Sequence, residues 1–341
     1  MNANPIDKLR YLTEGDMPDA LWAVEGAFRY DRSLQIAQDF LAERVALRRF
    51  DYIAGAMPCL WSLDYVAQRR PVALDNYVQA LEHYARKGVG VVLVFDNPFL
   101  TPEELGDSYG ALLTQELYRR DRVRRNRLCV ASDALAARLR ELCPKLPMDC
   151  HPNRLIAEKA RRTPALYAEL AARYDRVVLH PADGSKESLL RELAQPERFA
   201  LVVNDPMLRT NPVRRELLTL LSDMRRRPYD ADLMRRKADL LSRSGDRMVD
   251  PSKLQQQAAC ILTRREMHRA YELGFRRFCI QSALFGNEMT LLWDLFRCLF
   301  NNSPEHSHQM ALIANSVMAE FGRDAHELPS GLRQFSFSRD E

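Results

Sequence analysis

Residues 89–95 read VGVVLVF, and DNPF follows at 96–99. A continuous β-branched run of that length, closed by Asp-Asn-Pro, is the pattern of a strand buried on both faces, as parallel strands covered by helices are. Its flanks agree. Residues 75–86 carry a helical apolar period and stop at Lys87-Gly88, where glycine ends the helix. On the other side a helix begins within 101–118, and a second apolar run, RLCV, occupies 127–130. Helix, strand, helix, strand is the grammar of parallel strands joined by crossover helices.

The alternation continues outward. Upstream lie the apolar run ALWAVEGAF at 20–28, a helical stretch at 33–50 and an extended run at 52–56. Downstream come helix 133–142, an extended piece at 148–151, helix 164–174, strand 176–179, helix 186–193, strand 199–203, helix 213–224, strand 275–280 and helix 287–300. Eight strands, each trailed by a helix, predict a (βα)8 barrel of the TIM type, a fold that typically takes about 250 residues. The competing open doubly wound sheet wants a glycine-rich phosphate loop after its first strand, and AVEGAFRYD offers one glycine.

Local chemistry sets the boundaries. Thr101-Pro102, Thr163-Pro164, Asn211-Pro212 and Ser303-Pro304 each place a capping residue before a proline suited to the first helical turn. Thr263 with Glu266 forms a capping box, and Gly274 ends the helix that it opens. Between the seventh and eighth strands the chain is too long for one crossover. The excess, about 225–254, is charged and helical and is expected as an insert on the barrel, which occupies 1–302; a helix at 309–321 and a polar tail fill 303–341.

Composition is that of a globular protein: 341 residues, 46% hydrophobic, 28% charged, net charge +4. This excludes a disordered or collagenous chain. Seven of the fifty basic residues are Lys and the rest are Arg, a bias that suits forked recognition of carboxylate or phosphate. The seven cysteines form no CxxC pair, so buried reduced thiols are expected rather than a disulfide framework or zinc knuckle. No signal-peptide core or membrane-length apolar run is present, which leads to the expectation of a cytoplasmic protein without membrane partners.

In such barrels the reactive groups stand at the C-terminal ends of the strands. Those ends are polar here. They offer Glu25, Asp96, His151, His180 and Asp205 as candidate catalytic groups, and Asn97, Asn153, Asp183, Asn204, Arg214 and Gln281 as candidate substrate contacts. Ser132-Asp133 stands at a further strand end. Three chemistries fit. His151 and His180 with carboxylates can hold a divalent metal that activates water; His180 with Asp183 or Asp205 can act as an acid–base pair; or the amides and arginine can orient a polar or anionic ligand. No HExxH, G-x-S-x-G or P-loop is present. His306 and His308, two apart, face different ways on a helix and make a poor metal site. Cys150 and His151 are adjacent, and adjacent strand residues point to opposite faces, so they are not a dyad by adjacency.

The stretch 180–215, HPADGSKESLLRELAQPERFALVVNDPMLRTNPVRR, resembles the collagenase-like peptidase (U32) family of barrel proteins, with Asn204, Asp205, Pro212 and Arg214 matching its motif. Residues 261–281, ILTRREMHRAYELGFRRFCIQ, are similar to its closing helix and last strand, and 89–105 to its third strand and turn. Met207 and Asn211 stand where that motif has cysteines. The resemblance therefore implies a divergent member without the family's iron–sulfur cluster, and without the oxygen- or prephenate-dependent hydroxylation of some members. Three functions follow as expectations. One is an enzyme acting hydrolytically or with a metal on a small polar or anionic substrate. Another is a non-catalytic barrel that binds a protein partner through the 225–254 insert and the tail, and the third is an RNA-associated protein that draws on its arginines.

Overall fold

The computed structural model describes residues 19–28, 50–63, 73–122, 124–158, 161–208, 213–245 and 259–281, with a few single positions besides. Among these the strands are β1 (Leu21–Glu25), β2 (Phe50–Gly55), β3 (Gly90–Phe95), β4 (Arg127–Val130), β5 (Met148–Cys150), β6 (Arg176–Val178), β7 (Phe199–Val202), β8 (Asn204–Leu208), β9 (Ala259–Ile261) and β10 (Arg277–Ile280). The helices are α1 (Leu74–Arg86), α2 (Ser108–Arg119), α3 (Asp133–Leu142), α4 (Asn153–Glu158), α5 (Pro164–Arg173), α6 (Glu187–Glu192), α7 (Arg214–Arg226), α8 (Ala231–Gly245) and α9 (Arg264–Glu272). The helices expected at 33–50, 287–300 and 309–321, like Asn211-Pro212 and Ser303-Pro304, fall outside the described residues.

Eight strands close a parallel barrel in the order β1, β10, β7, β6, β5, β4, β3, β2, and β2 returns to β1. This is the (βα)8 architecture, with strands at all eight places where the sequence puts them. Strand parity divides the residues between two environments. In β1, Trp22 and Val24 point outward and are buried under helices, while Leu21, Ala23 and Glu25 face the lumen and are partly exposed. β10 alternates likewise, and Trp22 meets Phe278 with ring centroids 5.1 Å apart. β3 is buried throughout, its Val91, Leu93 and Phe95 in the layer between barrel and helices and its Val92 and Val94 in the lumen.

Caps terminate the helices as the side chains dictate. The hydroxyl of Thr163 accepts from Leu166 N, and Thr263 and Glu266 form the reciprocal box. Thr101 and Glu104 also bond reciprocally, but they close only a 3-10 turn at Glu104–Gly106. Helix α2 starts after it, where the Asp107 carboxylate accepts from Tyr109 N. A Ser/Asp/Thr side chain nearer the periodic segment thus takes the capping role from the one that precedes Pro102.

The crossover between β7 and β10 is an excursion with its own core. It leaves on β8, which pairs antiparallel with the returning β9. Between them α7 and α8 bury Leu217, Leu218, Leu220, Leu221, Leu233 and Leu240 together with Leu63, against which Phe99 and Ile156 pack. Leu63, Phe99 and Ile156 follow β2, β3 and β5, so the helix pair is seated on the C-terminal face of the barrel. Arginines fasten it: Arg225 donates to the Ser62 carbonyl, Arg226 to Glu104 and the Phe99 carbonyl, and Arg215 to the Ala157 carbonyl. Among the described residues no helix is long and apolar enough to cross a membrane.

One glycine is required by a close approach. A Cβ on Gly90 would lie 2.5 Å from the Tyr52 ring and 2.7 Å from the Arg125 carbonyl oxygen. Neither neighbour moves freely, since the ring fills the N-terminal end of the lumen and the carbonyl belongs to the backbone. Gly90→Ala is expected to lower stability by about 1–3 kcal/mol, read as a shift of the urea midpoint at unchanged slope; a midpoint equal to that of the parent protein would refute the close packing of Tyr52.

Candidate functional site

Barrel interiors of this type are normally filled by layers of bulky branched side chains. Here the middle of the lumen is lined by Ala23, Ala54, Cys129, Val178, Ala200 and Cys279. Small side chains on most strands leave a cavity of about 60 Å³ that runs along the barrel axis, from Leu21, Asp51 and Arg277 at one end to Glu25, His151 and Gln281 at the other. Val92, Val94 and Val202 complete an apolar wall between two polar ends.

Three of the eleven residues singled out from the sequence line this cavity: Glu25, His151 and Gln281. Glu25 ends β1 at an inward position, and Gln281 follows β10 at the matching parity. His151 follows β5 and is 8% exposed. Its Nδ1 accepts from Asn153 N at 3.2 Å, which leaves the ring hydrogen on Nε2. His180 is held in the same way, Nδ1 accepting from Ala182 N at 3.1 Å. Both are followed by proline, so one local design, His-Pro-x with a ring-to-backbone bond, recurs at consecutive strand ends.

Burial pushes both imidazoles down, to about 3, with Arg162 and Arg214 adding to the effect at His180. Both rings are therefore neutral at physiological pH, and the acid–base pairing of His180 with Asp183 or Asp205 loses its titrating partner near neutrality. For a metal bound through Nε2, the hydrogen would have to sit on Nδ1, which faces a backbone N–H instead. Among the described residues no group of three or more His, Cys, Asp or Glu side chains comes together to hold a metal ion.

The other candidates are engaged in building the C-terminal face. Asp96 accepts from Leu63 N at 2.7 Å, and Asn153 donates to the Asp96 carbonyl at 2.9 Å, so the loops after β2, β3 and β5 are tied together. Asn97 donates to the Leu60 carbonyl and accepts from Phe99 N. Asp183 is fully buried and accepts from the Tyr167 hydroxyl, Arg162 and Lys186, each at 2.7 Å. The burial opposes its charge, yet these donors hold its carboxyl below the usual range. The guanidinium of Arg214 grips Asp205 with two bonds of 2.7 and 3.1 Å. The Asn204 amide imitates a strand, donating to the Gln281 carbonyl and accepting from Gln281 N, both at 2.8 Å. Asp133, beyond its place at the start of α3, accepts from Arg154, Arg173 and the Tyr174 hydroxyl; its carboxyl falls to about 2, burial being outweighed by these donors.

Neither Cys150 nor Cys279 supplies a nucleophile. Cys150 points outward into the core behind β5, and burial pushes its thiol up to about 12; Cys279, in the lumen, is raised to about 12 by burial and then by Glu25. Both are thiols at neutral pH, and the nucleophile of a cysteine hydrolase is the thiolate.

The residues that sequence reasoning missed lie at the opposite end of the same cavity. Asp51, Tyr52, Asp149, Arg176 and Arg277 line its N-terminal end. They stand at strand starts, outside the region where barrel chemistry is usually sought. The available signal was charge at inward parity, as in Arg127, Asp149, Arg176 and Arg277, at positions where a filled barrel carries Val or Ile.

No family model matches the chain, and no curated protein does. Among solved structures, that of a U32 peptidase is similar at 15% identity with a TM-score of 0.49, over 77% of this chain and 93% of that one. The assignment of the barrel rests on the closed pairing of its own strands.

Proposed function

We propose that the protein is a barrel enzyme that binds a small polar or anionic substrate in its lumen and hydrolyses it at the C-terminal end, where Glu25, His151 and Gln281 line one cavity. The observation that carries this reading is the lumen itself. A barrel whose only task is structural gains by filling its interior, because each unfilled methyl-sized space costs about 1 kcal/mol. This chain instead places Ala23, Ala54 and Ala200 on three different strands at inward positions.

Within that reading the three residues divide the work. The Glu25 carboxylate acts as the general base that takes a proton from water. His151, neutral with hydrogen on Nε2, donates to the carbonyl oxygen as negative charge develops there, a task for which a neutral ring serves. Gln281 orients the substrate through its amide. Asn153 holds His151 and Asn204 holds the Gln281 backbone, while His180, Asp183, Asp205, Arg214, Asp96 and Asn97 brace the loops around them. The likeness of 180–215 to the peptidase family supports hydrolysis as the reaction class, with small amides and short peptides as the first substrates to offer.

The test is a panel of small amides, esters and short peptides followed by product release, with the parent protein beside Glu25→Gln. Turnover by the parent is expected to fall by about 10²–10⁴ in the variant at unchanged unfolding midpoint. Equal turnover in both, or none by the folded parent across the panel, rejects the reading.

The histidine assignment has a pH signature. Ordinary imidazoles titrate near 6.5, and both rings sit far below that in the folded state. The unfolded chain therefore binds more protons between pH 6.5 and about 3, and stability falls as pH drops through that interval. Between pH 7 and 5 the loss is about 2 kcal/mol for each ring, before Asp133 begins to contribute lower down. Urea midpoints measured across this range should slope downward in the parent protein and flatten in a His151→Gln, His180→Gln double variant; parallel slopes would contradict neutral buried rings.

A further inference from the structure

Four inward side chains from alternate strands make one layer of a barrel interior, and a filled barrel builds such layers from bulky branched residues. Strand pairing orders the layers of this lumen. Tyr52, Arg127, Arg176 and Arg277 form the floor. Above it lie Ala23, Val92, Asp149 and Ala200, and above those Ala54, Cys129, Val178 and Cys279. Glu25, Val94, His151 and Val202 follow at the C-terminal end. The space therefore sits in the two middle layers, where every side chain but Asp149 is alanine, cysteine or valine.

The two ends of this chamber differ in what they offer a ligand. At the floor the polar groups satisfy one another. Asp149 takes the Arg127 Nε at 3.1 and 3.0 Å, and Asp51 takes Arg125 at 2.5 Å and Arg277 at 2.8 Å. Arg176 donates to the Tyr52 hydroxyl at 3.1 Å, and the Arg277 Nε to the Glu197 carbonyl at 3.2 Å. At the C-terminal end His151 is 8% exposed; its Nδ1 accepts from Asn153 N, while its Nε2–H makes no bond among the described residues. The Gln281 side-chain amide makes none there either, since the bonds of Gln281 with Asn204 run through its backbone. A buried donor without an acceptor is costly until one arrives. The Glu25 carboxylate, in the layer of His151, repels an acceptor that carries negative charge.

Size fixes the rest. A cavity of about 60 Å³ holds about two groups of the volume that a water takes in the liquid, roughly 30 Å³ each. Two carbons fill it. We propose that the site takes a neutral short-chain carboxamide whose acyl part is propionyl. The ethyl carbons occupy the two layers between Ala54 and Ala200, and the carbonyl oxygen accepts from the His151 Nε2–H and the Gln281 amide. Walls of alanine, valine and cysteine give a charged group no partner in exchange for its lost hydration. The proposal rests on the hydrolytic reading for the carbonyl as the reacting group, and adds the length and the charge of the acyl part.

The experiment is ligand-observed NMR titration of the full-length protein with acetamide, propionamide, hexanamide and propionate. Dissociation constants in the millimolar range are expected for molecules of this size. Propionamide should bind about fourfold tighter than acetamide, the increment of one buried methylene, and tighter than hexanamide, whose chain exceeds the space. Propionate should bind about tenfold more weakly than propionamide, because its charge is desolvated against an apolar wall. Ala54→Val places two carbons in the chamber and should bring propionamide to the level of acetamide while the thermal midpoint stays equal or rises. Ala200→Val does the same from another strand one layer deeper, so that one misfolded variant does not decide the test. Hexanamide or propionate binding as tightly as propionamide, a propionamide preference that survives both variants, or no amide binding by the folded parent overturns the proposal. The two readings fail separately: amides bound in this order without product release reject hydrolysis and leave the propionyl site standing, and hydrolysis with no optimum in chain length does the reverse.

Discussion

Closure of eight strands into a ring sends every second side chain of every strand into one lumen, and that volume is fixed by strand number and tilt. The chain must fill it, leave it open, or spend it on polar groups. This protein does different things at different heights. At the N-terminal end Tyr52 lies over Gly90, with Arg125, Arg127 and Arg176 at 5.6, 5.8 and 4.8 Å from its ring centroid, and the space is consumed by one aromatic and its cations. In the middle the side chains shrink to Ala, Cys and Val, and the cavity opens. The exterior obeys a separate rule: Trp22, Phe278, Phe95 and Phe199 fill the layer between barrel and helices, so the small interior costs the main core nothing.

The polar C-terminal face follows from the same closure. Strand ends there hand the chain to loops whose backbone groups have no ladder to join, and buried N–H and C=O groups must be bonded. Asp96, Asn97, Asn153 and Asn204 supply those bonds, each reaching the backbone of a neighbouring strand end. Asp183 and Asp205 are satisfied by arginine, lysine and tyrosine instead. A carboxylate or amide at a strand end thus has two uses, and the geometry separates them. A group whose acceptors are filled by backbone or by a buried cation holds the mouth together; Glu25, His151 and Gln281 line the cavity as well.

That distinction sets what the sequence can disclose. The eight strands are legible because burial leaves a local mark, a run such as VGVVLVF whose two faces are both covered. Helices α3 and α5 are legible through Ser132 and Thr163, which cap them within a few residues of the apolar period. The ribbon of β8 and β9 is not, because its two strands are far apart in the chain and short, and neither alternates clearly. The site is legible only in part for the same reason. Parity places Glu25, His151 and Gln281 inward, but whether Asp96 faces a ligand or Leu63 N depends on where a loop from another strand arrives. The floor escaped notice because its charges belong to Arg127, Asp149, Arg176 and Arg277, residues of four different strands that meet only when the ring closes.

The arginine bias acquires a physical meaning from these placements. Binding to nucleic acid needs cations gathered on an exposed face or stripe. The run 119–127 instead sends Arg119 and Arg120 to Glu116, and Arg125 and Arg127 to Asp51 and Asp149. Arg225 and Arg226 reach backbone carbonyls and Glu104 beneath the helix pair, and Arg154 and Arg173 converge on Asp133. In each case a planar fork bonds several acceptors at once, which a lysine ammonium does with less geometric definition. Many arginines thus act as fasteners between segments remote in sequence. Arg176 and Arg277 line the cavity besides, sharing Asp51 with Arg125, while the Arg277 Nε fastens the turn before β7 by donating to the Glu197 carbonyl.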